Sequence, residues 1–569
     1  MSMIFKRSFF LAALLAALFA AAGIAAASPS LTAAPLNPDF VKWRAGGQTA
    51  AAKVSAASAA RGYGYAPSPV NWSHLAGVSF SVYGKASQSL SVSPFEVSYD
   101  LREKMPSVRQ QKPFGNCWTH SAMAATESSL INRGLVSRDI RLSEWYLTYH
   151  AYMPASSDWS FTHIPEEEPE KYYDAGGNDW KAVALLSRGT GSVLEAQAHT
   201  PVSVDEVYDP GDVKRSYKLT DALYLGSLGA KEIPISGDRR EQVKRALKEY
   251  GAVSVGIAYI EVDEKTGAEY FNEGTSAFYS GLPYEGTNHA VTIVGWDDEY
   301  PIVNFCEDTR PQSNGAWIVR NSWGDDYGDR GYFYVSYEEP SLCDGVAYVS
   351  VPEPVNERIY QYDPLGLTQF SSYAEDSQPD GGSGTVWFAN VFTAEGDDAL
   401  NSVSFYTSAP DQSCEISVYT GCQSTPADGK LAAAKTAVFS APGYHTVVLD
   451  GAVNVRKGEK FSVVVKTSSK LTPYVIPCEK YVAKDTENAK SAKGESWVSV
   501  DGVVFKDISA SGMVYADGSH GGANVCIKAF AAPSSTPTPS GGGSSGGCGC
   551  GWGAFALLAL LPPVLKRKK

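Results

Sequence analysis

This sequence is short of the groupings that metal-dependent and nucleic-acid-binding functions require. Its eight histidines are scattered, with His150, His163 and His199 isolated, and neither an HExxH run nor a CxxC pair occurs. Zinc sites are usually built from such closely spaced ligands, so no metal and no cofactor is expected. Basic residues are also scarce: 48 lysines and arginines stand against 62 aspartates and glutamates, for a formal charge of -14. No basic patch interleaved with aromatics is present, and the one dense basic run, Lys566 to Lys569, closes the chain. A nucleic-acid partner is therefore not expected.

What is present suggests an exported, multidomain protein. Residues 1–27 read as a signal peptide, with Lys6 and Arg7, an alanine/leucine-rich apolar run and small residues near Ala25 to Ala27. A chain of 569 residues, 44% hydrophobic and 12% aromatic, can bury several cores. Residues 28–94, rich in alanine, serine and glycine, form a propeptide or a spacer. Nine cysteines leave one unpaired if the others form disulfides, and Cys117 is the expected odd thiol. Cys306 with Cys343, Cys414 with Cys422 and Cys478 with Cys526 are candidate pairs by domain membership; fully reduced cysteines are the alternative.

Cys117 follows a Pro/Gly-containing loop and opens a helix-forming segment that ends at Gly134. Unpaired N–H groups and the positive end of the dipole at a helix start favour a thiolate, the nucleophilic form. Such a nucleophile needs a base and a group that orients the base, and His289 and Asn321 are available downstream. His120, one turn after Cys117, leaves the same helix and is poorly placed to meet it at a substrate; it reads as a core or supporting group.

Three motifs in order, Gln111 with Cys117-Trp118, His289 opening an apolar strand that ends in Gly-Trp, and Asn321-Ser322-Trp323-Gly324, resemble those of the papain-like cysteine peptidases. The resemblance extends over about residues 95 to 350, through Leu142 to Glu144 and Gly176 to Asn178. It implies an α+β fold in two lobes, with Cys117 on a helical lobe and His289 and Asn321 on a sheet lobe. It further implies a thiolate–imidazolium pair, Asn321 orienting the ring, Trp323 shielding that bond, and Gln111 donating to the oxyanion. Gly176 and Gly177 resemble the glycine pair against which an extended protein or peptide substrate lies. The sequence departs from the family where Phe114 replaces a common cysteine, so packing must brace the cleft. It departs again in the interval from Cys117 to His289, longer than the roughly 130 to 150 residues of papain and the cathepsins.

Past residue 357 the chain changes character. Short alternating runs over 357–532 predict an all-β sandwich, which resembles the lectin-like domain of some bacterial papain-like peptidases and implies surface carbohydrate or protein as a partner, or a purely structural role. Residues 533–547 are a Ser/Thr/Pro/Gly linker. Residues 548–569, with Cys548 and Cys550, an apolar stretch and a basic end, resemble bacterial C-terminal sorting signals and imply membrane or envelope attachment; a short membrane tail is the alternative. Besides an exported peptidase, two other functions fit these features: a surface adhesin on a peptidase-like fold, and a cell-wall amide hydrolase.

Overall fold

The computed structural model describes residues 30–45, 62–80, 82, 95–111, 113–152, 159–162, 173–198, 200, 211, 213–228, 237–263, 266–282, 286–374, 384–510 and 521–534. The expected signal peptide, residues 1–27, and the expected C-terminal sorting segment, residues 548–569, lie outside them. The chain forms two units, Met1–Pro533 and Ser534–Lys569. Among the described residues no helix is long and apolar enough to cross a membrane.

Among the described residues the α-helices are α1 (Pro38–Arg44), α2 (Cys117–Asn132), α3 (Glu144–Tyr152), α4 (Asp179–Ser187) and α5 (Gly237–Tyr250). The sequence of α2 is rich in alanine and free of proline and glycine, which suits a helix. It stops where Gly134 takes a φ of +68° and Leu135 N–H returns to the carbonyl of Leu130 at 3.0 Å. Every residue from Cys117 to Leu130 is buried, so α2 is a central helix enclosed on all sides, with α3 and α4 packed beside it.

The sheet of the α+β part contains β1 (Tyr217–Gly226), β2 (Val253–Ile257), β3 (His289–Asp297), β4 (Ala316–Arg320), β5 (Tyr332–Ser336) and β6 (Cys343–Pro352). Their spatial order is β1, β6, β2, β3, β4, β5. All five residues of β2 are buried, because β6 and β3 flank it and α2 and α5 pack nearby. The helical lobe and the sheet lobe thus meet along α2 and β3.

The α+β part of the chain is followed by an all-β domain. A six-stranded sheet containing Val386–Thr393, Gln412–Thr420 and Lys460–Thr467 packs over β7 (Asp398–Thr407), β8 (Gly443–Val455) and β9 (Ile527–Pro533). Phe388, Phe405, Val418 and Phe461 share that core. The second layer is continuous with the sheet of the α+β part: Gly443, Tyr444 and His445 of β8 pair with Leu223, Ala222 and Asp221 of β1. Glycine is required at 443, where a Cβ would lie 2.0 Å from the Ala222 carbonyl oxygen. At the other end of the chain, Ser30–Ala33 adds an edge strand beside Gln369–Ala374 of the β domain.

Candidate active site

Cys117 is the first residue of α2, where orphan N–H groups concentrate. The Ala290 N–H, one residue into β3, donates to Cys117 Sγ at 3.3 Å. The thiol therefore sits where the start of the central helix meets the start of the central strand, beside His289. His289 Nε2 is 2.8 Å from Asn321 Oδ1, and Asn321 directly follows β4, the neighbour of β3. Asn321 Oδ1 also accepts the Ser322 N–H at 2.8 Å, which fixes it as the oxygen. Nε2 of His289 must then carry the proton, leaving Nδ1 as the basic nitrogen, without a hydrogen-bond partner. The buried Trp323 ring stacks on the imidazole at 4.6 Å and 22°, keeping water from the His289–Asn321 bond.

Gln111 is fully buried and clamped by Ser322, whose Oγ donates to Gln111 Oε1 and whose carbonyl accepts the Gln111 backbone N–H at 2.8 Å. That leaves Gln111 Nε2 facing the cleft, where it donates to the carbonyls of Phe114 at 2.9 Å and Gly62 at 2.6 Å. Gly176 takes a φ of +73°, and at Gly177 a Cβ would lie 2.4 Å from the Trp118 indole. Both positions keep the cleft wall free of side chains. Phe114 packs edge-on against Trp145 at 4.7 Å and Tyr173 at 5.4 Å, the aromatic brace expected in place of a disulfide.

The cleft is filled by residues 62–66. Gly177 N–H donates to the Gly64 carbonyl and Ala66 N–H to the Gly177 carbonyl, both at 2.8 Å, while Tyr65 N–H reaches the Asn288 carbonyl at 3.1 Å. The Gly64 N–H is among the backbone donors on Cys117. Glycine is needed at 64, where a Cβ would fall 1.7 Å from the Gly115 carbonyl oxygen. Tyr63 sets its ring edge against His289 at 5.6 Å.

This covering changes the electrostatics expected from the sequence. Burial pushes the Cys117 thiol up to about 12, against the pull of the surrounding backbone N–H groups. Burial likewise lowers His289 to about 4, opposed by its bond to Asn321. Burial thus disfavours the charged forms of both groups while residues 62–66 lie in the cleft.

Sequence reasoning missed the supporting cluster under α2. Arg109 bonds Glu127 at 2.5 Å and also Glu144, and His120 Nδ1 lies 3.5 Å from Glu144. Burial and the nearby Arg109 and Arg320 charges lower His120 to about 3. It lines a small cavity together with Arg109, Glu144, Ala290 and Asn321. The alternating glycines and tyrosines of residues 62–65, set in an otherwise alanine- and serine-rich stretch, were the one available signal for the cleft occupant.

The expected disulfides are not formed. All seven cysteines among the described residues are free, and Cys117 is not a single odd thiol. Cys414 bonds Thr467 at 3.4 Å and Cys422 the Pro426 carbonyl at 3.5 Å, each turned to its own neighbour. Cys548 and Cys550 lie outside the described residues.

Residues 176–352 match the model of the papain family cysteine proteases and residues 359–531 that of the lectin-like domain. Rat (Rattus norvegicus) cathepsin S is 27% identical over 263 residues, 45% of this chain and 65% of that protein. Mouse (Mus musculus) cathepsin K is 22% identical over 260 residues, 46% and 65% of the two chains. The chain thus spans just under two thirds of these relatives. The cysteine protease and lectin-like domains of Cwp84, a surface layer associated protein of Clostridium difficile, superpose with a TM-score of 0.66 at 22% identity, covering 89% of this chain and 98% of that one. Clostridial Cwp84 after propeptide cleavage gives 0.58 at 25% identity, over 77% and 99%.

Proposed function

We propose that this chain, papain-family in its catalytic part and lectin-like in the domain that follows, is an exported cysteine peptidase made as a zymogen. Cys117 is the nucleophile, His289 the general base and acid, Asn321 the group that orients it, and Gln111 an oxyanion donor. The observation that carries this reading is the meeting of Cys117 with the start of β3 while His289 Nε2 is held 2.8 Å from Asn321.

With the cleft open to substrate, the Cys117 sulfur anion attacks a peptide carbonyl and the imidazolium of His289 gives its proton to the departing amine. Water, deprotonated by His289, then attacks the thioester and returns the thiol. Negative charge on the carbonyl oxygen is met by Gln111 Nε2, the group that now holds the Gly62 carbonyl. The docked residues 62–66 present the Gly64 N–H to the sulfur, which supports an inhibitory role for residues 28–94.

Cwp84 is described as associated with a surface layer and as undergoing propeptide cleavage. Both properties support export, surface placement and processing here, with Gly176 and Gly177 receiving substrate and the lectin-like domain binding surface carbohydrate or protein. The test is to incubate the reduced chain, processed to release residues 28–94, with denatured protein and, separately, with purified cell wall. Peptide release from protein alone is expected; amide cleavage in the wall alone would replace the peptidase reading with the wall-hydrolase one. Gln111→Ala is expected to lower kcat by about 10²–10³-fold with little change in KM. Steady-state kinetics on a protein substrate check this, and an unchanged kcat would remove Gln111 from the oxyanion role.

A further inference from the structure

We propose that His120 is a positioning residue for the hydrolysis: through one buried water it holds the side-chain amide of Asn321, and by way of Asn321 it sets the angle of the His289 ring. The inference rests on the peptidase reading above and adds a residue that lies outside the three roles assigned to Cys117, His289 and Asn321.

Asn321 is held at one end only. Its Oδ1 accepts the His289 Nε2–H and the Ser322 N–H, each at 2.8 Å, whereas its Nδ2 is buried without a hydrogen-bond partner. An amide gripped at its oxygen alone can pivot about that atom and tilt the bond it makes to the imidazole. A buried N–H is also costly to leave unpaired, so the free end of Asn321 calls for an acceptor.

His120 supplies one. Its Nδ1 lies 3.5 Å from Glu144 Oε1, and that oxygen already accepts an Arg109 N–H, so it meets the ring as an acceptor and Nδ1 carries the proton. Nε2 of His120 is then an acceptor, and it too is buried without a partner. Burial and the charges of Arg109 and Arg320 disfavour a second proton on the ring, which keeps Nε2 in that role. A third such atom is Arg109 Nε, a donor without a partner, since the ends of that guanidinium are taken by Glu144 and Glu127.

Arg109, His120 and Asn321 line one cavity between α2, the start of β3 and the residues that follow β4. It offers about 10 Å³ to the centre of a water molecule, which is room for about one. A water there accepts from Asn321 Nδ2 and from Arg109 Nε and donates to His120 Nε2. Three hydrogen bonds are the usual complement of a buried water, and the donor and acceptor senses agree without turning any group over.

Two variants separate positioning from packing. His120→Phe fills the space and removes the acceptor, while His120→Gln returns an acceptor oxygen to about the place of Nε2. In the full-length chain, exchange of the His289 Nε2–H with solvent, followed by NMR of isotopically labelled histidines, is expected to be about tenfold faster in His120→Phe than in the parent and close to the parent in His120→Gln. In the reduced chain processed to release residues 28–94, His120→Phe is expected to lower kcat on a protein substrate by about tenfold with KM nearly unchanged, and His120→Gln to restore most of the loss. Parent-like exchange or parent-like kcat in His120→Phe would overturn the proposal. So would a loss that His120→Gln fails to restore, which marks a packing role. The exchange arm needs no hydrolysis: a parent chain that cleaves no peptide would reject the peptidase reading, and exchange alone would then decide whether His120 holds Asn321.

Discussion

Cys117→Ala is expected to abolish peptide hydrolysis, lowering kcat/KM by about 10⁴–10⁶-fold, the range found when a covalent nucleophile is removed. The basis is that no other group can take its place. His120 is turned toward Glu144, and Cys414 and Cys422 bond their own neighbours, Thr467 and the Pro426 carbonyl. The substitution also removes the acceptor for the Ala290 N–H, so a stability loss of about 1–3 kcal/mol accompanies the loss of activity. Urea denaturation separates this from unfolding. Initial rates on denatured protein under reducing conditions give the result, and appreciable turnover by a folded Cys117→Ala chain would reject the mechanism.

Gly64→Ala is expected to expel the cleft segment and speed iodoacetamide labelling of Cys117 in the full-length chain by about 10²–10³-fold, equivalent to removing roughly 3–4 kcal/mol from the docked state. A Cβ placed 1.7 Å from a backbone oxygen leaves no rotamer that relieves the clash, and the obstructing group is the loop that delivers Cys117. Docking should also depend on pH in a definite sense. The docked thiol is raised from 9.0 to about 12, so its contribution is complete below 9.0 and is lost as pH rises through 12. The docked His289 is lowered from 6.5 to about 4, so its contribution is complete above 6.5 and is lost as pH falls through 4. Docking is strongest between these limits. Hydrogen exchange of residues 62–66, corrected for its intrinsic pH dependence, should show greatest protection in that window, and protection independent of pH would contradict the assignment.

The parts legible in advance were those with strong local patterns. Gln111, Cys117, His289 and Asn321 stood in short motifs, α2 in a run of good helix formers ending at Gly134, and the β domain in repeated strand-like runs. Less legible was anything made by chain segments distant in sequence. β2 is buried on both faces because of its neighbours, which alternation along its own five residues could not register. The pairing of β8 with β1 depends on Gly443 meeting a strand some 220 positions earlier, so the catalytic and lectin-like parts share a sheet that the composition change near residue 357 concealed.

By itself the sequence determined which chemistry is available, because a thiol at a helix start, an imidazole at a strand start and an amide after a strand end are set by local order and residue type. Tertiary structure alone decided the state of that chemistry. Charge on Cys117 and His289 depends on water, and the water is displaced by residues 62–66 only because Gly64 can pass between Gly115 and Gly177 and Tyr65 can reach Asp344, 279 residues further along the chain.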